Sequence, residues 1–181
     1  ATQSAELPVE RDVLAFGARS TASLSAQPLP LVRGFAAYLH AYPYGCTEQL
    51  ISRAFARLLL RDHPGLFPDE KQDEDLLEAA MNAIGERLTR GGVAPWPGGR
   101  PDPLLTVYAA DFLLAMREAG RGGADDLLQR LCDAVERLCP LNSSSLAAAR
   151  ISAYGIWVLT REGRVTTQLL ENLQDGLAEY K

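Results

Sequence analysis

From residue 31 onward, apolar residues recur every three or four positions in one segment after another, which restricts the chain to packed helices. Leu31, Phe35 and Leu39 are spaced by four, and Tyr42-Pro43-Tyr44-Gly45 then breaks the run. Leu50, Ala54 and Leu58, with Ile51, Phe55 and Leu59, make the next apolar face, which ends near Asp62-His63-Pro64-Gly65. The spacing predicts a third helix over 73–88, with Leu76, Leu77, Ala80, Met81 and Ile84 inward. The acidic run 69–75 leading into it reads as a solvated helix start that suits the N-terminal dipole. Four further helices are expected near 103–119, 124–138, 144–162 and 165–179, with Gly120 and Gly163 where helix-ending glycines belong. Residues 91–101, dense in Gly and Pro, cannot be helical and read as a long structured loop.

A weak internal repeat supports this layout. Leu114-Ala115-Met116-Arg117-Glu118-Ala119-Gly120 is echoed by Val158-Leu159-Thr160-Arg161-Glu162-Gly163. A period of about forty residues is the length of one helical hairpin in a stacked or ring-like array. Ala109-Ala110 and Ala147-Ala148-Ala149 would let neighbouring helices approach closely. Residues 10–26 lack that periodicity. Val13, Phe16 and Leu24 amid Ser, Thr and Gly read as one or two short strands, which need a sheet partner elsewhere. The expected division is therefore 1–27, a strand segment and linker from a neighbouring β domain, and 28–181, a helical domain, with Pro28 and Pro30 at the boundary. The fold expectation is all-α, a helical-hairpin array with a short N-terminal β segment.

Composition excludes several functions. The 181 residues carry a formal charge of -5 with no basic cluster, which argues against nucleic acid as a partner. No apolar run is long enough to span a membrane. The chain opens Ala1-Thr2-Gln3-Ser4 with no leader, as a mature or excised segment would. Cys132 and Cys139 are seven apart in a helical pattern, about 10 Å along the axis, beyond the reach of a disulfide, and read as core thiols. His40, Cys46 and His63 lack a fourth ligand and zinc-like spacing, so no metal or cofactor is implied.

The chemistry concentrates in Tyr42-Pro43-Tyr44-Gly45-Cys46-Thr47-Glu48-Gln49. Gly45 allows a tight turn, and a helix is expected to begin at or just after Cys46. A thiol at a helix N-terminus faces unpaired amide N–H groups, which favour the thiolate. Gln49, three residues on, lies beside Cys46 across one turn. A thiolate held against a carboxamide carbon can attack it, expel ammonia and leave an internal thioester.

This stretch resembles the thioester signature of the alpha-2-macroglobulin and complement family, and Tyr-Pro-Tyr-Gly is similar to its bacterial alpha-2-macroglobulins. Trp96-Pro97-Gly98-Gly99, the run from Asp102 to Leu113, and Ser25-Ala26-Gln27-Pro28-Leu29-Pro30 also match them. Together the resemblance covers most of residues 10–165. It implies a thioester domain of α/α-toroid type, supplied here as a partial ring of roughly seven helices from a much larger parent. It also implies that Cys46 is the thiol partner, Gln49 the acyl partner and Glu48 the acid of the signature. The implied activity is not enzymatic: it is a single-use protease trap in which bait cleavage exposes the thioester to an amine of the attacking protease. The implied setting is the bacterial periplasm, with the parent anchored to the inner membrane. Proteases and neighbouring domains of the same chain would be the partners. Some complement members steer the thioester with a downstream histidine; none stands at such a position here, so amines are the implied acceptors. A partial ring would expose apolar helix faces and invite dimerisation.

Alternatives stand beside this reading. Cys46 with His40 or His63 as base would make a cysteine-nucleophile hydrolase. A helical scaffold that binds a partner without an active thioester is the other. Trp96 either covers the thioester or plugs the end of the array, and Tyr42 and Tyr44 either exclude water from it or fill space.

Overall fold

In the computed structural model, the described residues are 45–63, 73–139 and 145–177, preceded by helical residues at Val32, Gly34, Phe35 and Tyr38. They form α1 (Thr47–Leu59), α2 (Asp73–Arg87), β1 (Leu88–Thr89), β2 (Gly92–Val93), α3 (Pro103–Glu118), α4 (Asp125–Leu138), α5 (Leu146–Arg161) and α6 (Thr167–Leu177). The all-α expectation holds. The N-terminal β segment, the division at residue 27 and most of the helix expected around 31–41 lie outside the described residues.

The helices pack largely on their neighbours in sequence. Each packs on the next in sequence in the pairs α1·α2, α3·α4, α4·α5 and α5·α6, while α1·α3 and α3·α5 bring alternate helices side by side. This is the pattern of a helical-hairpin array. It explains why α3 is apolar nearly all round: α1, α4, α5 and β2 surround it, and Leu105, Val107, Phe112, Leu113, Leu114 and Met116 are all buried. By contrast α4 buries one stripe, Leu128, Leu131, Cys132, Ala134 and Val135, edged by the half-buried Leu127 and Leu138, and is charged on its exposed face.

The helix ends follow their sequence signals. Asp102 caps α3, its Oδ1 accepting from the Leu105 N–H at 2.7 Å ahead of Pro103, and Ser145 caps α5 by accepting from the Ala148 N–H at 3.2 Å. The two repeat ends close alike. Gly120 and Gly163 take left-handed φ of 74° and 89°. The Arg121 N–H then reaches Met116 O and the Arg164 N–H reaches Leu159 O, the paired-bond closure that left-handed glycines permit. Across these ends the Arg-Glu pairs of the repeat exchange partners: Arg117 bonds Glu162, and Arg161 bonds Glu118 at 2.5 Å. Arg161 also meets the nearly buried Asp111 at 2.6 Å, and the Tyr154 hydroxyl donates to the same carboxylate at 2.7 Å.

Three expectations are corrected. Residues 88–93 are an antiparallel ribbon, Leu88 opposite Val93 and Thr89 opposite Gly92, rather than a helix end running into a plain loop. The ribbon lies flat on α3: a Cβ at Gly92 would meet Thr106 Oγ1 at 2.3 Å, and that hydroxyl accepts from the Val93 N–H at 2.9 Å. Leu59 is 63% exposed, because α1 ends there and turns its last residue off the core stripe. On α2, Ala83 joins Leu77, Ala80 and Ile84 in the core, while Leu76 and Met81 are only half-buried at its edge.

Candidate functional site

Cys46 is the N-cap of α1, extended at φ -67° and ψ 157° and 9% exposed, so its sulfur sits at the mouth of the first turn. Gln49 is the third helical residue. Its side chain folds back until Oε1 accepts from the Cys46 N–H at 3.4 Å, while the Cys46 sulfur faces the Gln49 N–H. This is the reciprocal capping-box arrangement with a thiol in place of a hydroxyl. Sulfur accepts weakly, so its half of the box is a close contact rather than a strong bond. The outcome is chemical as well as structural: thiol and carboxamide share one turn, and the carbonyl oxygen is held by an amide donor.

The next residue fixes the turn in the fold. Thr47 is 0% exposed. Its N–H donates to Pro95 O at 3.0 Å and its hydroxyl to Ala94 O at 2.8 Å, with Pro95 O at 3.1 Å. Arg87, at the end of α2, places one guanidinium nitrogen 2.9 Å from Thr47 Oγ1, 3.1 Å from Pro95 O and 3.4 Å from Gly45 O. Sequence reasoning missed both residues. Thr47 has no role assigned by the motif's chemistry, and nothing local to Arg87 marks a residue that reaches forty positions back.

Glu48 is exposed and, with Ser52, Pro95, Tyr108 and Tyr154, lines an open groove of about 460 Å³ running beside the Cys46–Gln49 turn. The Ser52 and Tyr108 hydroxyls lie 3.2 Å apart. Burial pushes the Tyr108 hydroxyl up, partly offset by the Ser52 bond, and Tyr154 is raised first by burial and then by its bond to Asp111. Cys132 and Cys139 are buried thiols pushed up to about 11 by burial, as expected of core cysteines.

The remaining candidates divide. Gly45 is exposed, has no left-handed φ, and a Cβ there would meet nothing within 4 Å, so neither its conformation nor its surroundings demand glycine. Trp96 is 52% exposed, next to the Pro95 carbonyl that Thr47 holds. His63 is exposed beyond the far end of α1, a helix of 13 residues and hence about 20 Å long, which removes it as a base for Cys46. Tyr42, Tyr44 and His40 lie outside the described residues. Among the described residues no cluster of side chains could hold a metal ion, and no helix is long and apolar enough to cross a membrane.

A hairpin array of helices with Cys46 and Gln49 in one capping turn defines the class: an all-α domain that holds a thiol and a carboxamide side by side at a helix N-terminus. No family model matches the chain. It is 32% identical to an alpha-2-macroglobulin of Rickettsia conorii over 97% of this chain and 10% of that protein. To an alpha-2-macroglobulin homolog of Yersinia pestis it is 31% identical, over 90% of this chain and 8% of that one. A crystal structure of native Escherichia coli alpha-2-macroglobulin, from domain MG7 to the C-terminus, superposes with a TM-score of 0.66 at 24% identity. It covers 81% of this chain and 26% of that one, and shows the shared fold. The chain is thus a homologue of one segment of the bacterial alpha-2-macroglobulins. It spans about a tenth of the length of the curated relatives it matches.

Proposed function

We propose that this chain carries the thioester of an alpha-2-macroglobulin-type protease trap, formed between Cys46 and Gln49. The single observation that carries the reading is the capping turn itself, in which Gln49 Oε1 lies 3.4 Å from the Cys46 N–H with the sulfur on the same turn. In the forming step the Cys46 sulfur attacks Gln49 Cδ. Charge develops on Oε1, the atom the Cys46 N–H already addresses, as in an oxyanion hole. Collapse makes the S–C bond and breaks the C–N bond. Ammonia leaves with the proton the thiol gave up.

In the trapping step an amine of an attacking protease adds to the same carbon. The C–N bond forms, the C–S bond breaks, and the Cys46 thiol reappears with the proton from the amine. The acyl group is used once, so the role is that of an inhibitor and not a catalyst. Resemblance to the family supports bait cleavage as the trigger and the periplasm, with an anchor in the inner membrane, as the setting. Fractionation that recovers the protein only from cytosol would overturn the setting.

The test of the chemistry is an intact mass of the denatured chain, localised by mapping to residues 42–53. A deficit of one ammonia, abolished by methylamine with one new thiol at Cys46, is the expected result. Free Cys46 with unmodified Gln49 in the full-length protein refutes it.

A further inference from the structure

We infer that Thr47 and Arg87 are positioning residues for the Cys46–Gln49 pair, clamping the turn that carries it to the loop after β2; the inference rests on the thioester reading. Thr47 occupies the first helical position, where its hydroxyl does not cap α1, because Cys46 is the cap. A β-branched residue gains nothing in helix propensity there. Yet it is fully buried, and a buried hydroxyl persists only with partners. Its partners are not in its own helix. It donates to Ala94 O and Pro95 O and accepts from Arg87, so one hydroxyl joins α1, the end of α2 and the loop.

Arg87 closes the same knot from the other side. Its carbonyl accepts from the Ala94 N–H at 3.2 Å, and its guanidinium spans Pro95 O, Thr47 Oγ1 and Gly45 O. Gly45 and Thr47 flank Cys46 on both sides, so the clamp grips the two residues that fix the direction of the Cys46 backbone. Register within the pair is what reaction between sulfur and carboxamide requires, since a misplacement of about 1 Å can cost roughly a hundredfold in rate. One guanidinium nitrogen makes all three of these contacts, so a lysine ammonium can replace much of the function.

The experiment uses the full-length protein and four variants: Thr47→Val, Thr47→Ser, Arg87→Gln and Arg87→Lys. The fraction of freshly purified chain with the ammonia deficit, and the half-life of that deficit in buffer, are read by intact mass. Amide hydrogen exchange at residue 47, whose N–H donates to Pro95 O, reports by peptide-resolved mass whether the loop stays docked, and thermal midpoints separate positioning from collapse. Thr47→Val, which keeps the volume, should lower the fraction or half-life roughly tenfold and speed that exchange. Arg87→Gln should do the same, while Thr47→Ser and Arg87→Lys stay near wild type in both readouts. Thr47→Val and Arg87→Gln that keep the wild-type fraction, half-life and exchange overturn the positioning role and leave the thioester reading intact. A wild-type protein without the deficit overturns both.

Discussion

Two glycines in helices should respond to the same substitution with opposite sign. Gly155 lies in α5 where it crosses α4, and an added Cβ would sit 2.7 Å from Cys139 Sγ, 2.9 Å from Val135 Cγ1 and 3.6 Å from Val107 Cγ2. All three neighbours are buried, so none can swing into solvent. Overpacking of this kind costs about 1–3 kcal/mol, against a helix-propensity gain of up to about 1 kcal/mol for Ala over Gly. With two contacts inside 3 Å the upper half of the first range applies, so Gly155→Ala should lose about 1–2 kcal/mol net. Gly85, exposed on α2, has nothing within 4 Å of its missing Cβ. Only propensity acts there, and Gly85→Ala should gain about 0.5–1 kcal/mol. For a chain of this size the shifts are a fall of about 2–8 °C and a rise of about 1–4 °C in thermal midpoint. Differential scanning calorimetry or urea unfolding reads both. A Gly155→Ala variant as stable as wild type, or two shifts of the same sign, would refute the packing argument.

Other outcomes can be checked with equal economy. Native thiol titration at neutral pH should read no reactive cysteine before methylamine, one after it and three in denaturant, because Cys132 and Cys139 are buried thiols at about 11; reaction of either in the native state counts against the packing described. Tyr154 and Tyr108 are raised above their ordinary value near 10, so the folded state holds protons there that the unfolded chain releases. Stability should therefore be intact below about pH 10 and fall as pH rises beyond it, and urea midpoints from pH 8 to 11 should fall less steeply in Tyr154→Phe. Arg161→Ala removes the charged partner of the nearly buried Asp111 and should cost about 1.5–3 kcal/mol, whereas Arg121→Ala, which loses an exposed pair with Glu74, should cost about 1 kcal/mol or less; equal losses by urea unfolding would sink the distinction.

Most helices were legible because their ends carry explicit chemistry. Asp102-Pro103 starts α3, and Gly120 and Gly163 stop α3 and α5 in left-handed geometry. The ribbon at 88–93 was not legible: two strands of two residues are too short to show alternation, and what fixes them is the close approach of Gly92 to Thr106, fourteen positions away in sequence. The exposure of Leu59 was missed because periodicity does not say where a helix leaves the core. At the site, the Cys46–Gln49 spacing implied a shared turn, and the turn is there. Its support was invisible because Thr47 and Arg87 act through main-chain carbonyls, which have no residue type to recognise. The exchanged Arg-Glu pairs were hidden differently: the repeat was plain, but which copy would bond which was a matter of packing.

The tie between Thr47 and Pro95 also sets an order of events during folding. Its two ends are 48 residues apart, so the contact closes only after the intervening hairpin has formed and returned. Before that closure the first amide of α1 bonds water, and the leading turn frays as free helix ends do. A nascent chain would thus carry Cys46 as an ordinary flexible thiol until the loop beyond the next helix arrives. Pulse-labelling hydrogen exchange should find the Thr47 amide protected no earlier than those of β2, and earlier protection would contradict this sequence of steps. Maturation of the turn would then be a checkpoint, passed only by chains whose long-range contacts are already correct.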